Sequence, residues 1–239
     1  MSDNHSLLYE GENSPHHHET MWFPKGFLWG TATSSHQVEG NTTNNDWWAQ
    51  ALAGKTPLPG TGPDHYHRFT EDFDNASRLN QNAHRLSIEW SRIEPREGEF
   101  DEQEIQHYRD VIKALRERGL EPFVTLHHFT NPQWFAEAGG WESHRAVRWF
   151  SRYVQHVVEA LGDDVRFWIT INEPMVLAVQ GYFFGVWPPN KRSWRTMIRV
   201  IVRLSRAHRK AYRIIHRIAR KKRWSAQVGI AHNVSSFHA

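Results

Sequence analysis

The sequence predicts an α/β protein of the (β/α)8 TIM-barrel type, present as about the first four βα units plus a fifth strand. Apolar strands alternate with amphipathic helices, which is typical of parallel βαβ units. Polar or charged residues follow each predicted strand, at the edge where such barrels build their active sites. Only five strands are predicted within 239 residues. A complete barrel has eight, so we expect an incomplete one.

The predicted elements follow one another in a regular order. The predicted strands cover residues 26–35, 84–90, 121–128, 165–174 and 226–237, and the predicted helices cover 66–80, 101–118, 143–161 and 193–224. The second helix has the clearest boundaries, because Asp101 and Glu104 form a D-x-x-E start and Gly119 follows its apolar stripe. We expect residues 1–21 to form a disordered tail and residues 22–239 to form the barrel portion.

Composition narrows the class of protein. The chain is 39% hydrophobic and 13% aromatic, enough for one sizeable core. It contains no cysteine, which excludes disulfides and thiolate metal sites. No uncharged apolar run of about 18 residues occurs, and the first twenty residues lack a signal-peptide pattern, so we expect a cytoplasmic protein.

The stretch WITINEP, residues 168–174, contains the strongest candidate site residue. An apolar strand ends there in Asn172, Glu173 and Pro174. Burying an unpartnered carboxylate costs several kcal/mol, so we expect Glu173 to face a shared pocket at the barrel rim. The polar residues that follow the predicted strands are Gln37, Glu39, Glu89, His127, His128, Asn172, Glu173, His232 and Asn233.

Several motifs resemble, in order, those of family 1 glycoside hydrolases, the β-glucosidase and 6-phospho-β-glucosidase family. The motifs are FPKGFLWGTATSSHQVEG (23–40), NNDWW (44–48), DHYHRFTEDF (64–73), HRLSIEWSRIEP (84–95), LHHFTNP (126–132), TINEP (170–174) and GYFFGVWPP (181–189). The resemblance implies a (β/α)8 fold and retaining hydrolysis of β-glycosides. It also implies that neither a metal nor a cofactor takes part.

The resemblance implies a role for each matching position. Glu173 matches the general acid/base, and Asn172 matches the neighbour that binds the sugar 2-hydroxyl. Gln37 and His128 match binders of sugar hydroxyls, and Arg85 matches the arginine beside the nucleophilic carboxylate. These types suit a retaining mechanism, which uses two carboxyl groups about 5 Å apart.

Two aromatic positions are implied to lie on the substrate side. Trp187 falls in the loop after strand four, which lines the aglycone side in this family. Phe129 stands where the family usually has Trp, so a stacking surface is kept but the indole N–H donor is lost.

The nucleophile is expected to be missing from this chain. No T-E-N-G-like motif occurs, and no Asp or Glu follows Glu173. Glu39, Asp46, Glu89 and Glu94 match no family nucleophile. We therefore expect a fragment that carries the acid/base and is inactive alone. A non-catalytic sugar-binding half-barrel remains an alternative, and open sheet edges predict self-association.

The C-terminal third has an unusual charge. After Glu173 the chain has 14 Lys or Arg and no acid, and arginines recur three or four residues apart within 193–224. This stripe could bind a polyanion, such as nucleic acid or an anionic membrane. The favoured interpretation is an outer barrel helix whose basic face pairs with acids on neighbouring helices. The 17 His residues show no H-E-x-x-H spacing, so no metal is expected.

Overall fold

The computed structural model describes residues 23–234 of the chain, so the predicted tail over 1–21 lies outside the described residues. The strands are β1 Gly30–Ala32, β2 Ala83–Ser87, β3 Glu121–Thr125, β4 Phe167–Asn172 and β5 Gln227–Ala231. The α-helices are α1 Ser35–Val38, α2 Asp46–Leu52, α3 His65–Arg78, α4 Trp90–Ile93, α5 Glu102–Glu117, α6 Gln133–Glu137, α7 Ala146–Leu161, α8 Pro174–Ala178 and α9 Trp194–Lys222.

The five strands form one sheet in the order β1-β2-β3-β4-β5, and every neighbouring pair is parallel. At least one helix lies between successive strands along the chain. This sequential parallel order confirms the predicted barrel-type α/β fold. Within the described residues β1 and β5 are edge strands, and self-association through them stays a prediction.

The strands are shorter than predicted, and β1 shows the reason. The predicted strand over 26–35 is reduced to three residues. Before it, the rings of Phe23, Phe27 and Trp29 pack on one another at centroid distances of 4.6–4.9 Å instead of entering the sheet. Gly30 begins the pairing, and a Cβ there would lie 2.2 Å from the carbonyl oxygen of Ala83.

Two helix starts are set by side-chain caps. Asp101 accepts hydrogen bonds from the amides of Gln103 and Glu104, which confirms the predicted start of α5. Ser193 caps α9 in the same way. At 29 residues α9 is long, but no helix among residues 23–234 combines the length and apolar content needed to cross a bilayer.

The hydrophobic core lies between the sheet and the helices. Strand side chains that face the helices are fully buried, among them Leu86, Val124 and Trp168. On the opposite face Arg85, Phe123 and Phe167 are partly exposed, and the rings of Phe123 and Phe167 stack there at 4.3 Å. One face of the sheet is therefore covered, and the other is partly open within the described chain.

Candidate functional site

The site forms where β4 ends. Asn172 is the last residue of β4, and Glu173 precedes α8 with φ +43, in the left-handed region. The amide of Glu173 donates to the carbonyl of Ala231 at 2.8 Å. The β4–β5 register shifts between Ile169 and Asn172, which marks a bulge. Bulges redirect the side chains that follow them, so this bulge helps to aim Asn172 and Glu173.

Arg85 joins three neighbouring strands at this edge. Its Nε donates to Thr125 Oγ1 at 3.0 Å, and its Nη2 donates to Asn172 Oδ1 at 2.5 Å. With Oδ1 occupied, the Asn172 amide retains its N–H2 group as a donor. Burial lowers the pKa of Arg85, while the nearby Glu173 carboxylate acts in the opposite direction. Arg85, Asn172 and Glu173 thus form one polar cluster.

The adjacent residues His127 and His128 point to different surroundings. His127 is buried, and its Nε2 lies 3.0 Å from Asn131 Oδ1. His128 is half-buried, and burial lowers its pKa to about 3, with the Arg85 charge adding to the effect. A neutral imidazole has one donor and one acceptor nitrogen, which suits binding to hydroxyl groups. His128 is therefore the histidine that joins the polar cluster.

An aromatic wall lies beside this cluster. The ring of Phe129 lies 5.0 Å from His128 and 4.9 Å from Trp187, and Trp187 lies 5.3 Å from Trp47. Phe129 has φ +70, an uncommon conformation for a bulky residue. Such strain costs about 1–3 kcal/mol and persists where the surroundings impose it, commonly at functional sites.

Gln37 lies on α1, and its side chain accepts a hydrogen bond from Ser34 Oγ at 2.7 Å. It is exposed, and within residues 23–234 it makes no hydrogen bond to His128 or Glu173. Its proposed contact with a sugar therefore stays a prediction. The start of α1 is fixed beneath it, because Ser35 Oγ contacts Ser87 Oγ and donates to Glu89.

The four earlier carboxylates are engaged inside the protein. Glu39 binds Arg92 and Tyr108, and Asp46 accepts two hydrogen bonds from Asn131. Glu89 accepts from the hydroxyls of Ser35, Ser91 and Thr130. Glu94 accepts from Trp90 Nε1 and the Gly98 amide and pairs with Arg152. Burial raises the pKa of Glu39 to about 7. These contacts give all four carboxylates structural roles.

Three residues help to build the site although the sequence assigns them no role in it; it marks Glu89 only as a polar residue at the end of a strand. Thr125 orients Arg85, and Trp47 supports Trp187. Glu89 connects the segments after β1, β2 and β3 through its three hydroxyl partners. Trp47 had a usable signal in the aromatic pair of NNDWW, whereas nothing in the sequence distinguishes Thr125 from other strand threonines. Within the described part of the chain, no group of three His, Asp or Glu side chains is arranged to hold a metal ion.

Comparison with known sequences agrees with this geometry. Residues 19–238 match the model of glycosyl hydrolase family 1. β-Glucosidase A of Thermotoga maritima is 34% identical over 225 residues, which are 90% of this chain and 50% of that protein. The chain therefore spans about half the length of this curated relative.

Solved structures give the same result. A β-glycosidase from Pyrococcus horikoshii superposes with a TM-score of 0.81 at 41% identity, covering 87% of this chain and 48% of that one. The Thermotoga maritima β-glucosidase in complex with castanospermine superposes with a TM-score of 0.84 at 34% identity, covering 90% of this chain and 50% of that one. The fold is thus an incomplete (β/α)8 barrel, and the chain belongs to glycosyl hydrolase family 1.

Proposed function

We propose that this chain supplies the acid/base half of a retaining β-glycosidase active site, with Glu173 as the general acid/base. The observation that carries the proposal is the cluster at the end of β4. There Arg85 holds Asn172 by a 2.5 Å hydrogen bond, next to the half-buried Glu173. Parallel strands bring their carboxyl ends to one edge, which is where barrel enzymes collect catalytic groups.

The proposed chemistry follows from the position of each group. Glu173 protonates the leaving oxygen in the first step, and as carboxylate it activates water in the second. The Asn172 amide, with its oxygen bound by Arg85, offers its N–H2 group to the sugar 2-hydroxyl. That hydrogen bond strengthens as the oxocarbenium-like transition state forms. His128 and Gln37 bind the remaining hydroxyls.

The aromatic wall supports a substrate with an apolar face or aglycone. Ligand sites combine aromatic surface with a few placed polar groups, and this wall lies directly beside His128. We propose that Trp187 and Phe129 contact the aglycone side and that β-glucosides are the substrate class, as the relatives' names suggest.

The nucleophile must come from outside these 239 residues, because no acid follows Glu173 and the four earlier carboxylates are engaged elsewhere. The chain by itself is therefore proposed to bind a β-glycoside without cleaving it. Incubation with 4-nitrophenyl β-glucoside tests this directly. Steady release of nitrophenol that is abolished by Glu173→Gln would refute the proposal.

A chimera separates an enzyme half from a non-catalytic sugar binder. Residues 23–234 are joined to the part of the Thermotoga maritima β-glucosidase that the chain does not match. We expect hydrolysis in the chimera, and Glu173→Gln should lower it about 10²–10⁴-fold, as loss of general acid/base catalysis does. Glu99→Gln is the matched control, since Glu99 is exposed and lies outside the site. An active chimera that tolerates Glu173→Gln would contradict the role of Glu173.

A further inference from the structure

A basic groove runs between α7 and α9, on the outer side of the helices. Two adjoining cavities of about 470 and 440 Å³ form it, and they share Lys210, Ile214 and Arg217. We call it the α7–α9 groove and define it by its exposed cations, which are Arg148, Arg206, Arg209, Lys210, Arg213 and Arg217.

Among residues 23–234, these cations lack acidic partners. Within residues 23–234, none of the six makes an ion pair, and the acid that lines the groove is Glu159. Arg152 also lines it, but its charge is used by the buried Glu94. The expectation that acids on neighbouring segments pair with the basic face therefore holds for Arg199 with Glu142 and Lys222 with Asp163, and it is wrong for the six groove cations. The α7 side chains that line the groove are neutral or basic apart from Glu159, so α7 offers few acids to α9.

Uncompensated like charges repel one another and destabilise the compact state. When Lys and Arg side chains neutralise the phosphates of a nucleic acid, the cations condensed on that nucleic acid are released, which favours binding. We propose that the α7–α9 groove binds the phosphodiester backbone of a nucleic-acid duplex without reading its sequence. This inference is independent of the glycosidase site.

The spacing of the cations favours a linear polyanion. Arg206, Lys210, Arg213 and Arg217 lie at successive helical steps along one side of α9. At a rise of about 1.5 Å per residue, these eleven steps span about 17 Å. A length of about 17 Å of B-DNA axis carries about ten phosphates on its two strands, so a phosphate is available for each of the four cations.

The lining of the groove favours backbone contact over base recognition. Its aromatic lining residue is Phe100, and that ring is already stacked on His156 at 3.9 Å. No free aromatic platform for stacking bases is therefore present among the described lining residues. The bottom of the groove is formed by Val147 and Ile214.

An anionic membrane fits the same charges less well. A helix that binds at a membrane surface buries its own apolar face in the lipid. The apolar face of α9, including Val200, Leu204 and Ala207, is buried in the core of this protein. The cations also line a recess, which the phosphate ridge of one strand can enter and a flat lipid surface cannot.

The test uses the 239-residue chain and a fluorescein-labelled 20-base-pair duplex, with binding followed by anisotropy at several salt concentrations. With one phosphate neutralised by each of these four cations, log affinity should fall against log salt with a slope of about −3.6. This corresponds to a loss of affinity of about 10²-fold between 50 and 200 mM salt. Duplexes of unrelated sequence should bind equally.

The groove variant Arg206→Gln/Lys210→Gln/Arg213→Gln/Arg217→Gln should lose most of the salt dependence and more than tenfold in affinity. The control variant Arg68→Gln/Arg78→Gln/Arg96→Gln/Lys113→Gln removes the same charge from exposed positions elsewhere, and it should bind within about threefold of the original chain.

A second measurement needs no variant. The duplex should protect Lys210 from acetylation by an amine-reactive ester and leave Lys113 reactive. Three results would overturn the inference: no binding at 50 mM salt, equal losses in the two variants, or tighter binding of the groove to phosphatidylserine vesicles than to the duplex.

Discussion

Replacing Glu89 tests how the site-bearing segments are held together. Glu89 is fully buried, and its carboxylate accepts from Ser35 Oγ at 2.9 Å, Ser91 Oγ at 2.6 Å and Thr130 Oγ1 at 3.0 Å. These hydroxyls belong to the segments that follow β1, β2 and β3. Glu89→Gln changes this junction with little change in side-chain volume, and Glu89→Leu removes it.

The magnitude follows from which oxygen serves each hydroxyl. Oε2 accepts from Ser35 and Thr130, so an amide at this position is expected to keep its oxygen there. Ser91 alone then faces the amide nitrogen and loses a charge-assisted bond worth about 1.5–3 kcal/mol, part of which its rotating hydroxyl recovers. We expect Glu89→Gln to cost about 1–2 kcal/mol. Glu89→Leu leaves three hydroxyls without this acceptor and should cost about 3–5 kcal/mol.

Urea unfolding followed by tryptophan fluorescence measures both losses, because Trp90 is buried next to Glu89 in the chain. Glu99→Gln is the control. Glu99 is exposed and pairs with the exposed Arg96, so this variant should unfold within about 0.5 kcal/mol of the original chain. If Glu89→Leu unfolds within about 0.5 kcal/mol of the original chain, Glu89 does not hold these segments together.

Three further predictions concern stability. Arg152→Met removes the ion-pair partner of the buried Glu94 and should cost about 3 kcal/mol in urea unfolding; an unchanged midpoint would contradict the pairing. Burial lowers the pKa of His84 to about 4. As the pH falls from about 6.5 to about 4, the His84 imidazole is therefore protonated in the unfolded chain before it is protonated in the folded chain, and the folded state loses stability. The free energy of unfolding of His84→Gln should therefore rise relative to that of the original chain by about 1.4 kcal/mol for each pH unit of decrease between about 6.5 and 4. A difference that does not change with pH would refute this. Gly40→Ala places a Cβ 2.0 Å from the carbonyl oxygen of Thr61 at φ +78 and should lower the free energy of unfolding by more than about 2 kcal/mol. Gly54→Ala is the control, because Gly54 has a similar φ of +71 but open space around it, and it should cost about 1 kcal/mol. Equal losses of stability in the two variants would count against the close approach at Gly40.

The sequence by itself determined the class of fold and the position of the candidate acid. Alternation of strands and helices, the Asp101 cap and the Asn172–Glu173–Pro174 strand end are local signals that depend on neighbouring residues along the chain. They predicted the sequential parallel sheet and the start of α5, which the structure confirms. They did not predict the short helices such as α1 and α6, because four or five residues are too few to show a helical period.

Only the tertiary structure decided which distant side chains meet. The hydrogen bonds of Arg85 to Thr125 and Asn172 join residues 40 and 87 positions apart, and they exist because β2, β3 and β4 pair side by side. The same holds for the α7–α9 groove. The spacing of arginines along α9 is visible in the sequence, but the lack of acidic partners for the groove cations among residues 23–234 follows from the packing of α7 beside α9. Local propensity acts over a few residues, whereas these contacts depend on the register of strands and the placement of helices far apart in the chain.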